Sequence, residues 1–432
     1  AYLPDTPGVR ETTASYYNRM EIMDAQVAAR LAELEADSLA EDTLVFYYSD
    51  NGGVLPRSKR YCYDEGLRCA LILRVPPRWA HLAPAAPGTV DDSLVILPDL
   101  GPTALSLAGL SPPADLDGRA IAGPAKAAPR KLAFGMRNRM DERYDMVRTV
   151  TDGRFRYIRN YTPHRPWGQH QAYAWQSRAY QDWDQAWRDG KLTPVQARFW
   201  EPKPFEELYD LRADPDQMTN LAGRKDYREV ARRLSAALDA HMLAVRDNGF
   251  IPEGSPVEGY EASRRPGAYP LREVITLAGL AARGEPANRG HFQAGLSDPN
   301  EVIRWWAAQG LLILGRHAEP AGKTLRQALA ADPSPHVRIA AAEALIRLDD
   351  AERGVAALAD LLGHAHPRVR LQALNALTYA GPAARVALPQ IEAARDSGDP
   401  YLGMAGAYLV RVLQGRYAPH EPVIGDALPR AR

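Results

Sequence analysis

Two side chains that carry oxygen stand next to each other at Asp50 and Asn51, directly after an apolar run, and two glycines follow them. A carboxylate and an amide carbonyl are hard oxygen ligands, which Ca²⁺ and Mg²⁺ prefer, and glycine lets a backbone approach closely. In open α/β sheets, ligands bind at the carboxyl ends of strands. The same four residues also make a good turn. The residues by themselves leave both a metal site and a plain turn open.

Lys59 is the second candidate for chemistry. It is the only lysine among the first 125 residues of a chain that otherwise uses arginine. A compact ammonium is suited to stabilising charge that develops on oxygen, and arginine does not replace it in that role. The alternative is a solvated surface lysine between Arg57 and Arg60.

A third set of candidates lies in a tryptophan-rich stretch, because five of the eight tryptophans fall between residues 162 and 204. This stretch is predicted to be a long loop with helical pieces. His164 and Arg165, with His170 nearby, are candidates for lining a substrate pocket. The alternative is that these histidines are simply exposed.

The elements that would position Asp50 are predicted from apolar spacing. Spacings of three and four predict an amphipathic helix over residues 13–36 and a second helix over residues 94–110. Between them, residues 43–48 and 69–75 have no helical period, which predicts two strands buried on both faces. Helix, strand, strand and helix in this order indicate the end of an open α/β sheet.

From about residue 131 the sequence consists of short segments in which apolar and polar residues alternate. Asp152-Gly153 stands at the centre of residues 146–157 and is a strong hairpin signal, so an antiparallel sheet is predicted, followed by a helix over 227–246. A stretch rich in glycine and proline follows at 252–269.

The last part of the chain is repetitive. Matching dipeptides recur at steps of 34, 34 and 33 residues, and three of them lead into similar alanine-rich helices: Asp298-Pro299, Asp332-Pro333, His366-Pro367 and Asp399-Pro400. Helical units of fixed period that cannot bury their own faces must stack, which predicts a short α-solenoid. The pattern resembles HEAT repeats. A plain helical bundle is the alternative.

Composition excludes several classes of protein. Fifty-three basic residues balance 53 acidic ones, so no net charge favours nucleic acid as a partner. The only two cysteines, Cys62 and Cys69, cannot form a disulfide framework. No apolar run reaches the roughly 20 residues that span a bilayer. The first residues do not look like a signal peptide, and we expect the sequence to be a fragment of a longer protein.

Several of these motifs together resemble a known family. The stretch from Tyr48 to Gly53, then Lys59, then Tyr63-Asp-Glu-Gly-Leu-Arg68 is similar to the second signature block of sulfatases in the alkaline phosphatase superfamily. Family-like blocks continue in the family's order over residues 16–222, and their spacing is most like heparan N-sulfatase and its bacterial relatives. The resemblance implies a sulfatase-type hydrolase of sulfate esters, with a sulfated carbohydrate or an N-sulfate among the possible substrates.

The resemblance also implies roles for single residues. Asp50 and Asn51 would bind a divalent cation, usually Ca²⁺ in this family, and Lys59 would contact the sulfate or the leaving-group oxygen. The family's nucleophile is a formylglycine made within Cys/Ser-x-Pro-x-Arg, and that pattern is absent from the sequence. The resemblance also places the family's paired aspartates, which complete the metal site, before residue 1. The metal site in this chain would therefore be incomplete, and the chain alone is expected to be inactive. Because members of this family are usually exported, the resemblance implies a periplasmic or secreted protein. No residue of this sequence shows that location.

The predicted organisation has five parts. Residues 1–128 would be the C-terminal part of the catalytic α/β domain, 129–250 its antiparallel subdomain, 251–269 a linker, 270–416 the HEAT-like solenoid and 417–432 a tail. The alternatives are a phosphoester or phosphonate hydrolase of the same superfamily, and a non-catalytic scaffold whose repeats bind a protein partner.

Overall fold

The computed structural model describes residues 2–427, which form two compact units. Unit one comprises residues up to 136 together with 148–158 and 207–234, and unit two comprises 137–147, 159–206 and the residues from 235 onward. The division runs through the segment predicted to be a separate subdomain. The predicted domain bounds stay a prediction, and residues 428–432 of the predicted tail lie outside the described residues, as does residue 1.

The first element of unit one is the long helix α1, Pro7–Ala36. It begins earlier than predicted because the Thr6 hydroxyl accepts a hydrogen bond from the Val9 amide at 3.3 Å, and Pro7 occupies the first turn, where no amide hydrogen is needed. The predicted apolar stripe is only partly covered in the described structure: the Met20 side chain is 40% exposed.

Two short strands follow, β1 (Val45–Tyr48) and β2 (Leu71–Arg74), with the one-turn helix α2 (Asp64–Leu67) between them in sequence. The strands pair antiparallel and form a sheet of their own. The prediction that they are buried on both faces is wrong for the described residues, since Tyr48 is 53% and Ile72 is 61% exposed. Each strand has only one neighbour, so much of its surface stays accessible.

The next helix, α3, spans Leu100–Leu107 and is shorter than predicted, because residues 97–99 form a separate 3₁₀ turn. Asp99 is fully buried where the two join. Its carboxylate accepts hydrogen bonds from the Ile96 amide at 3.0 Å and the Arg119 amide at 2.9 Å, and it pairs with Arg130 at 2.6 Å. The carboxylate therefore caps the helical segment and ties the following loop to it.

A four-stranded sheet is formed in the order β3, β4, β5, β6, from Ala133–Arg137, Val147–Thr151, Phe155–Asn160 and Glu206–Asp210. The hairpin predicted at Asp152-Gly153 joins β4 to β5, and the Asp152 amide donates to the Phe155 carbonyl at 3.2 Å. Helix α6 follows as Arg228–Ala244, close to its predicted bounds.

The tryptophan-rich connection between β5 and β6 is part of unit two and contains α4 (Arg178–Arg188) and α5 (Pro194–Ala197). Trp175 and Trp183 are buried, and Trp183 stacks on Phe199 with ring centres 4.2 Å apart. The connection has an aromatic core of its own rather than being an extended surface loop.

The rest of unit two is helical. After the single-turn helix α7 (Tyr260–Ser263), the helices α8 to α17 are Leu271–Arg283, Arg289–Gly295, Glu301–Leu314, Gly322–Ala331, Pro335–Arg347, Ala351–Leu361, Pro367–Ala380, Leu388–Arg395, Pro400–Leu413 and Ile424–Ala427. Helices α10, α12 and α14 coincide with the predicted repeat helices. They pack in series, and each contains fully buried alanines such as Ala307, Ala341 and Ala373. In residues 2–427 no helix is long and apolar enough to cross a membrane.

Candidate active site

Asp50 and Asn51 lie in a turn at the carboxyl end of β1. The Ser49 amide donates to the Ala70 carbonyl at 3.2 Å, and the Ser49 hydroxyl donates to the Asn51 carbonyl at 2.6 Å. Asp50 is exposed, and no hydrogen bond or ion pair engages its carboxylate within residues 2–427. Asp50 and Asn51 therefore form a turn, as the turn interpretation predicts. The Asp50 carboxylate is still free to bind a cation, as the metal-site interpretation requires.

Gly52 and Gly66 hold the backbone of this turn against the neighbouring segment. The Gly52 amide donates to the Gly66 carbonyl at 3.0 Å, and a Cβ at position 52 would lie 1.7 Å from the Glu65 carbonyl oxygen. A Cβ at position 66 would lie 2.3 Å from the Tyr61 carbonyl oxygen. Only glycine fits at either crossing, which explains why a glycine directly follows Asn51.

Lys59 is partly exposed on the same loop, and its amide donates to the Gly53 carbonyl at 2.9 Å. Its neighbours Arg57 and Arg60 have φ of +68° and +87°, a region that non-glycine residues occupy at a cost of order 1 kcal/mol each. The Lys59 ammonium has no hydrogen bond or ion pair in the described part of the chain. Strained backbone around an uncommitted lysine is typical of a functional loop.

Arg57 anchors this loop, and sequence reasoning missed it. Its buried guanidinium lies between the rings of Tyr2 and Tyr63, with Cζ 4.5 Å and 4.0 Å from the ring centres. It donates to the carbonyl oxygens of Asp216 at 2.7 Å and Gln217 at 3.0 Å. The side chain therefore ties the loop that carries Lys59 to residues 216–217, and no short-range pattern in the sequence marks this contact.

The polar groups around Arg57 are hydrogen-bonded to one another. The Tyr63 hydroxyl donates to Glu207 Oε2 at 2.9 Å, and the Tyr2 hydroxyl donates to Glu65 Oε2 at 2.8 Å. Burial raises the pKa of the Glu65 carboxyl, although the Arg57 charge opposes that shift. Hydrogen-bonded buried groups of this kind hold one geometry, because a shift would leave them unpaired.

Cys69 is the cysteine next to the turn. Partial burial, and then the nearby Asp50 carboxylate, raise the pKa of its thiol. A thiol with a raised pKa is a poor nucleophile at neutral pH. Arg68 Nη1 lies 3.9 Å from Asp64 Oδ2, and the Arg68 side chain is largely exposed.

His164 and Arg165 lie in unit two. Arg165 forms a bidentate ion pair with Glu343. Nη1 donates to Oε1 at 2.6 Å, and Nη2 donates to Oε2. Burial, followed by the charge of Arg165, lowers the pKa of His164 well below its usual value. The buried His164 Nδ1 has no hydrogen-bond partner among residues 2–427. Arg165 is thus committed to a carboxylate of the repeats, and the substrate-binding role of both residues stays a prediction.

The donors at the turn were tested for their fit to a divalent cation. The Asp50 carboxylate and the Asn51 amide oxygen are hard oxygen ligands of the kind that such a cation prefers. Within residues 2–427, no group of three or more His, Cys, Asp or Glu side chains is arranged to hold a metal ion. Asp50 and Asn51 therefore fit part of a cation site.

Comparisons with known proteins give two matches along the chain. Residues 2–110 match the family model Sulfatase, and residues 322–407 match the model of HEAT repeats. A segment similar to part of a sulfatase domain is thus followed by a segment similar to HEAT repeats. The predicted fold class is confirmed in its small antiparallel sheets and its largely helical C-terminal region with HEAT repeats. The sulfatase family implies a divalent cation.

Two curated proteins and one solved structure are also similar to the chain. An ulvan-active sulfatase of Formosa agariphila is 36% identical over 253 residues, which are 58% of this chain and 41% of that protein. N-sulphoglucosamine sulphohydrolase of Homo sapiens is 28% identical over 237 residues, 51% of this chain and 45% of that protein. A solved structure of a protein with its substrate D-glucosamine-2-N,6-O-disulfate is 21% identical in sequence, with a TM-score of 0.35. The match covers 52% of this chain and 39% of the chain in that structure. The chain spans less than half the length of these relatives.

Proposed function

We propose that this chain supplies part of the active centre of a sulfatase that hydrolyses sulfate esters. Asp50 and Asn51 bind a divalent cation, Ca²⁺, and Lys59 contacts the sulfate or the leaving-group oxygen. The observation that carries the proposal is that the side chains of Asp50 and Lys59 are uncommitted on one glycine-braced loop, inside the segment that matches the sulfatase model.

The chemistry follows from the charges of these groups. Cleavage of a sulfate ester develops negative charge on the leaving-group oxygen, and a bound cation would polarise the sulfate. The Lys59 ammonium stabilises the developing charge and can donate a proton to the leaving oxygen. The Arg57 anchor and the Gly52 crossing fix the backbone that carries Lys59 and Asp50, so little reorganisation of the loop backbone is needed during the reaction.

The substrate proposed is a sulfated carbohydrate, including sugars that carry an N-sulfate. The names of the two curated relatives, an ulvan-active sulfatase and an N-sulphoglucosamine sulphohydrolase, support this class. The proposal also includes the domain bounds predicted above, a pocket role for His164 and Arg165, and a protein partner on the HEAT repeats.

The test uses the longest natural form of the protein that includes this chain, assayed against matched sulfate and phosphate esters of one sugar. Lys59→Ala is expected to lower kcat by a hundredfold or more, roughly the effect of removing one group that stabilises the transition state. Lys126→Ala is the matched control, since that exposed lysine only donates to the Pro84 carbonyl. Asp50→Asn is expected to raise the Ca²⁺ concentration needed for half-maximal activity.

Three outcomes would contradict the proposal. Equal activity of the Lys59 and Lys126 variants removes the role of Lys59, and faster cleavage of the phosphate ester favours a phosphoester hydrolase. Release of sulfate by the purified 432-residue chain contradicts the incomplete site. A long natural form that cleaves neither ester favours the non-catalytic scaffold.

A further inference from the structure

The HEAT repeats carry polar side chains on a helix face that is otherwise apolar. Glu343 is only 3% exposed in the middle of α12, among the buried alanines of that helix. A buried carboxylate is costly unless it is paired, so Glu343 indicates that something with a complementary charge covers this face.

The group that covers Glu343 is Arg165, from the connection between β5 and β6. Besides its two-pronged ion pair with Glu343, the Arg165 guanidinium lies 3.7 Å from the ring centre of Tyr379 on α14. The Tyr379 hydroxyl in turn donates to Gln169 Oε1 at 2.7 Å. Two neighbouring repeat helices thus bind one short stretch of the connection.

The same pattern continues along α14. Asn375 Nδ2 donates to the Glu142 carbonyl at 2.9 Å, and Arg143 Nη1 donates to Asn375 Oδ1. Arg143 Nε also donates to the His170 carbonyl at 2.8 Å. The Asn375 side chain is therefore hydrogen-bonded to the backbone that precedes β4. Through Arg143 it is also linked to the backbone of the tryptophan-rich connection.

Aromatic groups complete the contact at the C-terminal end of the repeats. The His170 ring stacks on Tyr408 of α16, with ring centres 4.1 Å apart and planes 16° apart. The Tyr417 hydroxyl donates to Asp184 Oδ2 at 2.7 Å, and the indole of Trp175 donates to the same oxygen at 3.0 Å. Asp184, a buried residue of the connection, is therefore bonded directly to Tyr417, which follows α16.

We propose that this face of α12, α14 and α16 is an internal docking platform whose occupant is the chain's own connection between β5 and β6. The platform positions residues 161–205, and it is closed to a protein partner while the connection is docked. A partner that displaced the connection would have to match Glu343, Asn375 and Tyr408 at once, or leave the buried carboxylate to Arg347, 3.8 Å away on the same helix. This inference does not depend on the sulfatase activity.

Hydrogen exchange of backbone amides, measured on the whole chain by mass spectrometry, tests the platform. Glu343→Gln leaves Arg165 without its charge partner, so exchange in residues 162–176 is expected to rise about tenfold or more, while α10 and α14 stay within about twofold of the wild type. The matched control is Asp349→Asn, which removes the carboxylate of a repeat ion pair with Arg316 that is exposed on both sides. It is expected to leave both regions unchanged.

Two further variants separate loss of docking from loss of folding. Tyr379→Phe removes only the hydroxyl that donates to Gln169 and is expected to raise exchange in residues 162–176 severalfold without affecting the repeats. Combining Arg165→Gln with Glu343→Gln is expected to add little to either single change, because both remove one interaction. Unchanged exchange in 162–176 for Glu343→Gln and Tyr379→Phe, or equal opening of the connection and the repeat helices in both, would overturn the platform.

Discussion

The guanidinium of Arg57 lies over the ring of Tyr63, with Cζ 4.0 Å from the ring centre, and the other face of the guanidinium is covered by Tyr2. Burial acts to lower the pKa of Arg57, but the nearby Tyr63 and Glu65 raise it overall, so the side chain stays charged. This arrangement fixes the loop that carries Lys59 through contacts outside the loop itself.

Arg57→Lys is expected to reduce the free energy of unfolding by about 2–3 kcal/mol, because lysine cannot donate to two carbonyls while stacking between two rings. Chemical denaturation followed by circular dichroism measures the change. Arg78→Lys is the control, since Arg78 is largely exposed over Trp79 and should change stability by less than about 0.5 kcal/mol. Equal effects of the two changes would show that the Arg57 contacts do not stabilise the loop.

Gly52→Ala is expected to reduce the free energy of unfolding by more than about 3 kcal/mol or to prevent folding of the loop, because the new methyl group would meet the Glu65 carbonyl oxygen at 1.7 Å. Gly101→Ala in α3 is the control. A Cβ there has no heavy atom within 4 Å, so alanine is expected to stabilise the helix by about 0.5–1 kcal/mol. Thermal unfolding compares the two, and a Gly52→Ala protein as stable as the wild type would contradict the crossing geometry.

Lys203 and Asp145 form a fully buried ion pair with Nζ 2.5 Å from Oδ1. Burial acts to raise the pKa of Asp145, but Lys203 and then Arg137 hold that pKa below its usual value. Lys203→Met is expected to cost about 3–5 kcal/mol, because a charged carboxylate loses its nearest partner inside the protein. Lys191→Met, which breaks an exposed pair, should leave Tm unchanged. A Tm for Lys203→Met within a degree of the wild type would contradict this.

Burial, and then the charge of Arg143, lower the pKa of His170 well below its usual value. The folded protein therefore keeps His170 neutral, while the unfolded chain takes up a proton below about pH 6.5. The stability from His170 is complete above that pH and is lost as the pH falls, by about 1.4 kcal/mol per pH unit. His170→Phe, which keeps a ring against Tyr408, is expected to flatten the acid side of the profile by that slope. Curves of the two proteins that stay parallel from pH 8 to pH 5 would contradict it.

The sequence by itself predicted which residues could carry chemistry and determined where most elements lie. Asp50, Asn51 and Lys59 stand in a sulfatase-like order, and the repeat dipeptides mark the starts of α10, α12 and α14. These signals are local, because helical period, turn residues and motif spacing all act over a few residues.

Only the tertiary structure decided which distant groups meet. The antiparallel pairing of β1 with β2, the anchoring of Arg57 on residues 216–217, and the pairing of Arg165 with Glu343, 178 residues away, leave no mark in the local pattern. Burial decides them, since a buried charge or carbonyl must find a partner wherever the packed chain brings one within reach. An arginine that looks free to bind substrate in the sequence is therefore held by a carboxylate of the repeats in the folded chain.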